Sequence, residues 1–413
     1  MTTTAPRPSD LQDERLANRE GIRGTFAGFI DKIRGGDLGA LPVVIGLAVI
    51  WTVLQILNHG FLSAANLVNL LLESSPTGVI ALGIVCVLLV AQIDLSVGSV
   101  SGLSSAIVGI LFVNLGWNVF AAIAIAVLTG VVIGWIYGQI FNRFGVPSFV
   151  ITLAGLLSFL GLQLYVLKGI GTINIPFDSP LVIFAQLAFV PAWLSYVLVV
   201  IAAGGLFLAD LTKARARRKA GLSAQPFSLI ALKSGALLVG LGFAAWYLNI
   251  ARGIGWMFVL FVALVLILNY ALTRTKWGRA VFAVGGNVEA ARRAGIKVKT
   301  IYTSVFVVCS TLAAVGGILA ASRLAASSQS SGTGDVNLNA IAAAVIGGTS
   351  LFGGRGTAFA ALLGIIVIQS ISSGLTLLNL DSSFRFMVTG LVLLLAVALD
   401  SVSRRSRTTH GRA

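Results

Sequence analysis

The stretch T-R-T-K-W-G-R-A-V-F-A-V-G-G-N-V-E-A-A-R-R-A-G-I-K-V-K (273–299) lies between two long apolar segments and is itself too basic to lie in lipid. It reads as a loop joining two membrane spans, and inside it the ends of a very short helix are marked. Asn287 follows the pair Gly285 and Gly286 and is placed to cap the first backbone N–H groups. Glu289 falls in the first turn, Arg292 and Arg293 in the last, as the helix dipole favours. Gly295 supplies the left-handed residue that ends it. Residues 288–294, with Ala290 and Ala291 at the centre, make about two turns, roughly 10 Å of rod. Two turns are too few to be stable alone in water. Two readings stand: a knob that docks on a cytosolic partner protein, or an ordinary capped loop helix.

Working outward, the rest of the chain is mostly apolar. Of 413 residues, 57% are hydrophobic and 10% charged, and runs of roughly 16 to 25 apolar residues recur from Ala40 to Leu399. The fold class is therefore an all-α polytopic membrane protein, with no period-2 barrel segments. The 47 glycines suit helices that approach closely in lipid. The net charge of +15 sits in loops and tails, so its placement argues against nucleic acid as a partner. Cys86 and Cys309 both fall in apolar runs, which speaks against disulfides and Cys-based metal sites. The N-terminal stretch mixes acids with bases, unlike a cleavable signal peptide, so the first span is expected to stay in the protein.

Apolar segments run near 40–58, 77–94, 98–115, 119–141, 148–167, 192–209, 234–250, 255–272, 301–321, 338–353, 357–378 and 385–400, an expectation of about ten to twelve transmembrane helices. With the N-terminus inside, only Lys168, Arg252, Arg323 and Arg385 fall outside, leaving 25 of the 29 Lys and Arg on the cytoplasmic side. Inverting the topology would destroy that asymmetry, so both termini are expected in the cytoplasm. The domain reading is a cytoplasmic tail at 1–38, a transmembrane body at 39–400 and a second cytoplasmic tail at 401–413. The body includes two cytoplasmic loops, a basic one at 209–233 and the one at 273–300. The basic loop, with K-A-R-A-R-R-K, reads as a topology anchor that can also touch anionic lipid of the bilayer. Outside, residues 58–73 are expected as an interfacial helix and 169–191 as a loop.

Two segments are poor spans. Residues 338–353 are short for a core of roughly 30 Å and end in G-G-T-S-L-F-G-G-R-G; the run into Asp94 stops at Q-I-D-L-S-V-G-S and restarts at once. Such broken or re-entrant helices survive at membrane depth only where protein or water satisfies the freed backbone. Their shared pattern of helix, break and helix suggests an internal repeat with parallel copies. Gln92, Asp94, Ser96 and Ser99 at the first break, and Gly347, Gly348, Thr349 and Ser350 at the second, are candidates for a solute pathway. Asp94 has a competing role as cap of the next helix, near the inner interface, and any single glycine serves equally well for close packing.

Absences narrow the class. No G-x-x-x-x-G-K-[ST] occurs, so no phosphate cradle of its own is expected. Asp94 is the only carboxylate expected near membrane depth, a thin relay for a proton-coupled carrier. No His/Glu cluster suggests a metalloenzyme and no T-V-G-Y-G filter an ion channel. What remains is a membrane pore subunit powered by a separate protein.

The sequence also resembles a family. I-D-L-S-V-G-S (93–99), G-R-A-V-F-A-V-G-G-N-V-E-A-A-R-R-A-G-I (278–296) and A-I-A-A-A-V-I-G-G-T-S-L-F-G-G-R-G (340–356) resemble signature stretches of bacterial ABC monosaccharide importer permeases of the ribose/xylose/galactose type, over about residues 66–400. The spans around 209–233, with V-P-S-F-V-I-T-L-A-G-L-L (146–157) and V-P-A-W-L-S-Y (190–196), resemble the xylose-type members. The resemblance implies two permease copies, two cytosolic ATPase subunits that bind ATP and Mg, an extracytoplasmic sugar-binding protein, and no cofactor on this chain. It also implies residence in the bacterial inner membrane, no catalysis by this chain, and a coupling helix at 287–295. Within the resemblance, a permease of the same family for another solute (ribose, galactose or a furanosyl signalling molecule) is an alternative; outside it stand an ion-coupled secondary sugar carrier and a membrane scaffold or receptor subunit.

Overall fold

The computed structural model describes residues 41–381 and, beyond them, 383, 384, 386–392, 394, 395 and 398. The expected tails at 1–38 and 401–413, and residues 385, 393, 396, 397, 399 and 400 of the apolar segment at 385–400, lie outside the described residues. The helices are α1 (Leu41–Leu57), α2 (Ala64–Leu89), α3 (Val97–Gly109), α4 (Val119–Phe144), α5 (Ser148–Val166), α6 (Pro180–Val182), α7 (Ala192–Lys219), α8 (Phe227–Asn249), α9 (Trp256–Arg274), α10 (Lys276–Gly286), α11 (Val288–Arg293), α12 (Val298–Leu324), α13 (Val336–Ile346) and α14 (Phe359–Leu377). Single π-helical turns extend α3 over Ile110–Asn114 and α6 over Ile183–Leu187. Among the described residues nine helices are long and apolar enough to cross a membrane, with α1 and α13 shorter apolar helices beside them. The protein is an all-α polytopic membrane protein. Among the described residues one ribbon forms, β1 (Thr172–Asn174) antiparallel to β2 (Ala326–Ser328), pairing Ile173 with Ser327.

The chain divides into two compact units. One holds α7 and α8, within Val190–Ile254; the other holds the remaining described elements. In the first, Asn249 Nδ2 donates to Ser195 Oγ at 2.9 Å, and Ser195 Oγ in turn donates to the Ala192 carbonyl at 2.6 Å. The basic segment expected as a loop at 209–233 is helical through Lys219, and the connection shrinks to 220–226. K-A-R-A-R-R-K contains no residue that breaks a helix, and its cations fall in the last turns, where the dipole favours them.

The second unit is built around α12. On α4, Gly130, Gly134 and Gly138 recur every four residues, and each meets the α12 backbone or side chains at Ser310, Phe306 and Thr303. A Cβ on Gly134 would overlap the Phe306 carbonyl oxygen. Without a hydrophobic drive between helices in lipid, close backbone approach is the available attraction, and small residues permit it. On its other side Gly83 of α2 meets Cys309, and Gly317 of α12 meets Ser101 of α3. Cys86 and Cys309 are free and buried.

The sequence expectation needs correction along α2. Residues 58–73 were expected as a separate interfacial helix; instead one helix starts at Ala64 and passes through Pro76 to Leu89. Ser74, Ser75 and Pro76 are all buried, and packing there holds a helix that proline alone would break. Ser63 caps it by accepting from Asn66 N–H. The stretch expected as loop at 169–191 carries β1 and α6.

A test of the α4–α12 seam follows directly. Gly134→Val is expected to cost about 1–3 kcal/mol through overpacking, read as a lowered Tm of the purified protein in detergent. An unchanged Tm would contradict the close approach.

Candidate functional site

Three groups of residues stand out, at three levels of the second unit. The first is at the α10–α11 end. Asn287 caps α11 as the sequence implies, its side chain accepting the Ala290 N–H at 2.9 Å. Gly295 adopts φ +80°, and its neighbour Ile296 donates back to the Ala291 carbonyl at 3.1 Å, closing the helix. Glu289 pairs with Arg292 at 2.9 Å and Arg293 at 3.7 Å. All three of these side chains are exposed, and such pairs contribute little to stability. Ala291 is buried while Ala290 points outward. The helix ends one residue earlier than expected, at Arg293.

Sequence reading missed the helix before it. α10 is capped by Thr275 and buries Val281 and Val284, and Trp277 Nε1 donates to Ser304 Oγ at 2.8 Å. Its glycines and basic residues hid an apolar face at helical spacing. α10 ends at Gly285 and Gly286, and this is where the first group meets the second. A Cβ on Gly285 would overlap the Leu89 carbonyl oxygen, which accepts the Gly354 N–H at 2.8 Å. The end of α2, the turn before α14 and the root of α11 therefore share one junction.

The second group is the pair of breaks. After Leu89 the chain turns back, with Ala91 at φ +56°, and climbs to Ser96, where α3 begins. Asp94 is 1% exposed; its Oδ1 accepts the Ser96 N–H at 2.8 Å and the Ser96 hydroxyl at 2.7 Å. Tyr137, on α4, donates its hydroxyl to Ser96 Oγ at 2.8 Å, and Ser99 Oγ donates to the Ser96 carbonyl at 2.9 Å. Asp94, Ser96 and Ser99 are thus brought together, while Gln92 turns aside to its own Val90 carbonyl at 3.3 Å. The sequence expectation left Asp94 near the inner interface. It neighbours Cys309, 11 residues into α12 from Val298 and so roughly 16 Å along that helix. Nor does it cap α3 directly: it braces Ser96, the residue at the cap position, through a turn.

At the second break Gly347 presses on the Ala360 backbone, Gly348 takes φ +103°, Ser350 N–H donates to the Arg355 carbonyl at 3.0 Å, and Phe352 N–H donates to Ser350 Oγ at 3.3 Å. Thr349 Oγ1 is buried without a hydrogen-bond partner. The two breaks meet where Gly354 N–H donates to the Leu89 carbonyl at 2.8 Å and Gly353 lies against Ala91, and the start of α13 is tied to α3 by the Gly98 N–H donating to Asn337 Oδ1. α2 and α13 run one way and α3 and α14 the other, so helix, break and helix occurs twice in parallel, as the sequence pattern implied.

The third group lies at the far end from α11. Glu73 Oε1 pairs with Arg323 at 3.2 Å, and Glu73 Oε2 accepts from Gln369 Nε2 at 2.6 Å. Asp335 Oδ2 accepts from Asn339 Nδ2 at 2.9 Å. Glu73, Gln369, Asp335 and Asn339 border a cavity of about 330 Å³ that also meets Thr77, Ser372 and Thr376. Glu73, Arg323 and Gln369 are far apart in sequence, so no spacing marks them. Among the described residues no three metal-ligating side chains cluster.

A multi-pass bundle with two interrupted helix pairs and an exposed helical knob defines a membrane permease component. Residues 66–397 match the family described as "branched-chain amino acid transport system / permease component". The chain is 36% identical over 370 residues to the xylose transport system permease protein XylH of Escherichia coli (strain K12), covering 89% of this chain and 91% of that one. It is 34% identical over 384 residues to XylH of Haemophilus influenzae (91% and 99%), and 29% identical over 365 residues to the ribose import permease protein RbsC of Escherichia coli (87% and 92%). No solved structure matches. The chain belongs to this permease family, that of the membrane subunits of bacterial ABC sugar importers.

The brace at the first break yields a ranked expectation. Tyr137→Phe removes one donor and is expected to cost about 0.5–1.5 kcal/mol, whereas Asp94→Ala leaves two buried Ser96 donors unmet and costs about 1–3 kcal/mol. Tm values of the purified variants check the order; equal values for both and for the parent would contradict the brace.

Proposed function

We propose that this chain is the inner-membrane subunit of an ABC importer for a monosaccharide, xylose being the best-supported solute, working by alternating access. Higher identity to the xylose permeases than to the ribose permease supports that choice, as does the α7–α8 pair, whose counterpart the resemblance assigns to xylose-type members. Two copies form the pore, two cytosolic ATPase subunits bind ATP and Mg, and an extracytoplasmic sugar-binding protein delivers the sugar. Both termini, α7's basic end and the α10–α11 segment face the cytoplasm, where the positive-inside count puts them.

In this reading α11 is the coupling helix. Gly286, Asn287, Glu289, Ala290, Arg292 and Gly295 form its exposed docking surface, and Ala291 and Gly285 fix it to the body. Closure of the ATPases moves α11; the Gly285 junction passes that motion to the Leu89 turn and to the loop before α14. The interrupted helices then tilt, and sugar passes along polar and small groups that include Ser96, Ser99 and Thr349. Asp94 braces that wall from behind through its bonds to Ser96. No covalent chemistry falls to this chain. The observation that carries the reading is the shared junction of Gly285, Leu89 and Gly354.

Replacing Glu289 and Ala290 together with proline removes the Ala290 N–H that Asn287 caps and the Glu289 carboxylate that pairs with Arg292, and disfavours the helical conformation of the residue before each proline. The protein should still insert, the partner ATPases should still hydrolyse ATP, and sugar uptake should fall to background. Uptake at the normal rate contradicts the coupling role. Uphill sugar transport by the purified chain alone, under an ion gradient, would instead favour a secondary carrier.

A further inference from the structure

The α7–α8 unit carries a cluster of cations that neither the coupling helix nor the interrupted helices use. α7 has 28 residues, roughly 42 Å of helix, against a hydrocarbon core of roughly 30 Å. Residues 192–209 hold no charge, so the excess length falls at the other end, where the basic run stands clear of the acyl chains. Lys213, Arg215, Arg217, Arg218 and Lys219 lie there on α7, and Lys233 lies near the start of α8. Asp210 is the one carboxylate in residues 190–254.

The turn between the helices brings two of these cations together. Arg217 Nε donates to the Ser223 carbonyl at 2.6 Å and clasps the connection 220–226 onto the end of α7. Gln225 is thereby held between Arg218 and Lys233: its carbonyl accepts from Arg218 Nη2 and its side-chain oxygen from Lys233 Nζ, each at 3.5 Å. Both contacts are long and the acceptor is neutral, so they orient the two cations and leave their charge unbalanced. Both side chains are exposed.

Toward the spans the surface turns apolar. Phe227 of α8, 57% exposed, stands edge-on to Phe207 of α7 with ring centroids 5.8 Å apart, and Leu208 and Leu232 on the same helices are exposed too. A matching occupant carries negative charge at one end and a hydrocarbon body at the other. Inorganic phosphate meets only the first demand, and a neutral lipid only the second.

We propose that the basic end of α7–α8 binds an anionic phospholipid, with Arg218 and Lys233 on the headgroup phosphate and the Phe207–Phe227 pair against an acyl chain. The site lies wholly within this unit and stands whether or not the importer reading does.

The test reads which lipid lies beside Leu232. Both native cysteines are buried, so Leu232→Cys gives one accessible thiol for a bimane fluorophore on the full chain. The labelled protein is placed in phosphatidylcholine vesicles holding the same small fraction of either brominated phosphatidylglycerol or brominated phosphatidylcholine. Quenching by each gives their relative association constant at the site. Phosphatidylglycerol should be favoured about fivefold or more, and Arg218→Gln with Lys233→Gln should bring the ratio to about one. Arg274→Gln with Lys276→Gln removes the same charge from α9 and α10 and should leave the preference intact. A parent ratio near one, a preference unmoved by the first pair of substitutions, or an equal fall with the second pair would overturn the proposal. So would loss of the preference on adding inorganic phosphate, which would mark a site for the free anion. Should the Arg218→Gln, Lys233→Gln protein fail to reconstitute, Lys233→Gln alone decides: the preference should fall about twofold or more, and an unchanged ratio would overturn the proposal.

Discussion

One backbone carbonyl, that of Leu89, sits where everything converges. α2 ends there, the Gly354 N–H of the loop before α14 bonds to it at 2.8 Å, and Gly285 presses against it with no side chain between. In lipid an interrupted helix is tolerated only if the protein satisfies the groups the interruption frees. Each interruption here helps satisfy the other, and the root of the exposed helix α11 is wedged into the pair. The requirement that makes the breaks possible also ties them to the knob.

That constraint explains the distribution of polar groups. Above the junction, Tyr137, Ser96 and Asp94 form a dry chain of hydrogen bonds that fixes where α3 restarts. A buried network of this kind specifies one arrangement strongly when its members are met and is costly when one is lost. Further out, the Glu73, Arg323 and Gln369 cluster and the Asp335–Asn339 pair keep charge at the end of the bundle, where water is available. The glycine rows on α4 and the small residues of α12 let the helices carrying these groups lie close enough for the contacts to form.

Much of the fold was legible because membrane helices advertise themselves by length and composition, and caps are local. Asn287, Glu289 and Gly295 marked α11 correctly because each acts within one turn. Both breaks were legible as Gly/Ser interruptions. Errors arose where packing overrode local preference: Pro76 does not end α2, and the basic run before Lys219 stays helical. The turn back from Leu89 through Ala91 to Ser96 was not legible, because a single left-handed residue has no signature in periodicity. Tyr137 and the Glu73 cluster were missed for a related reason: their partners are brought in by tertiary structure from 41 to 296 residues away.

The central claim is that motion at the knob reaches both breaks through the bare contact at Gly285. The most direct measurement is sugar uptake against ATP hydrolysis in the reconstituted importer carrying Gly285→Val. A side chain there must push Leu89 and Gly354 apart while leaving the docking surface of α11 in place. The account predicts that ATP hydrolysis continues and uptake is lost. Uptake and hydrolysis both at parental levels, with the variant folded, would contradict it.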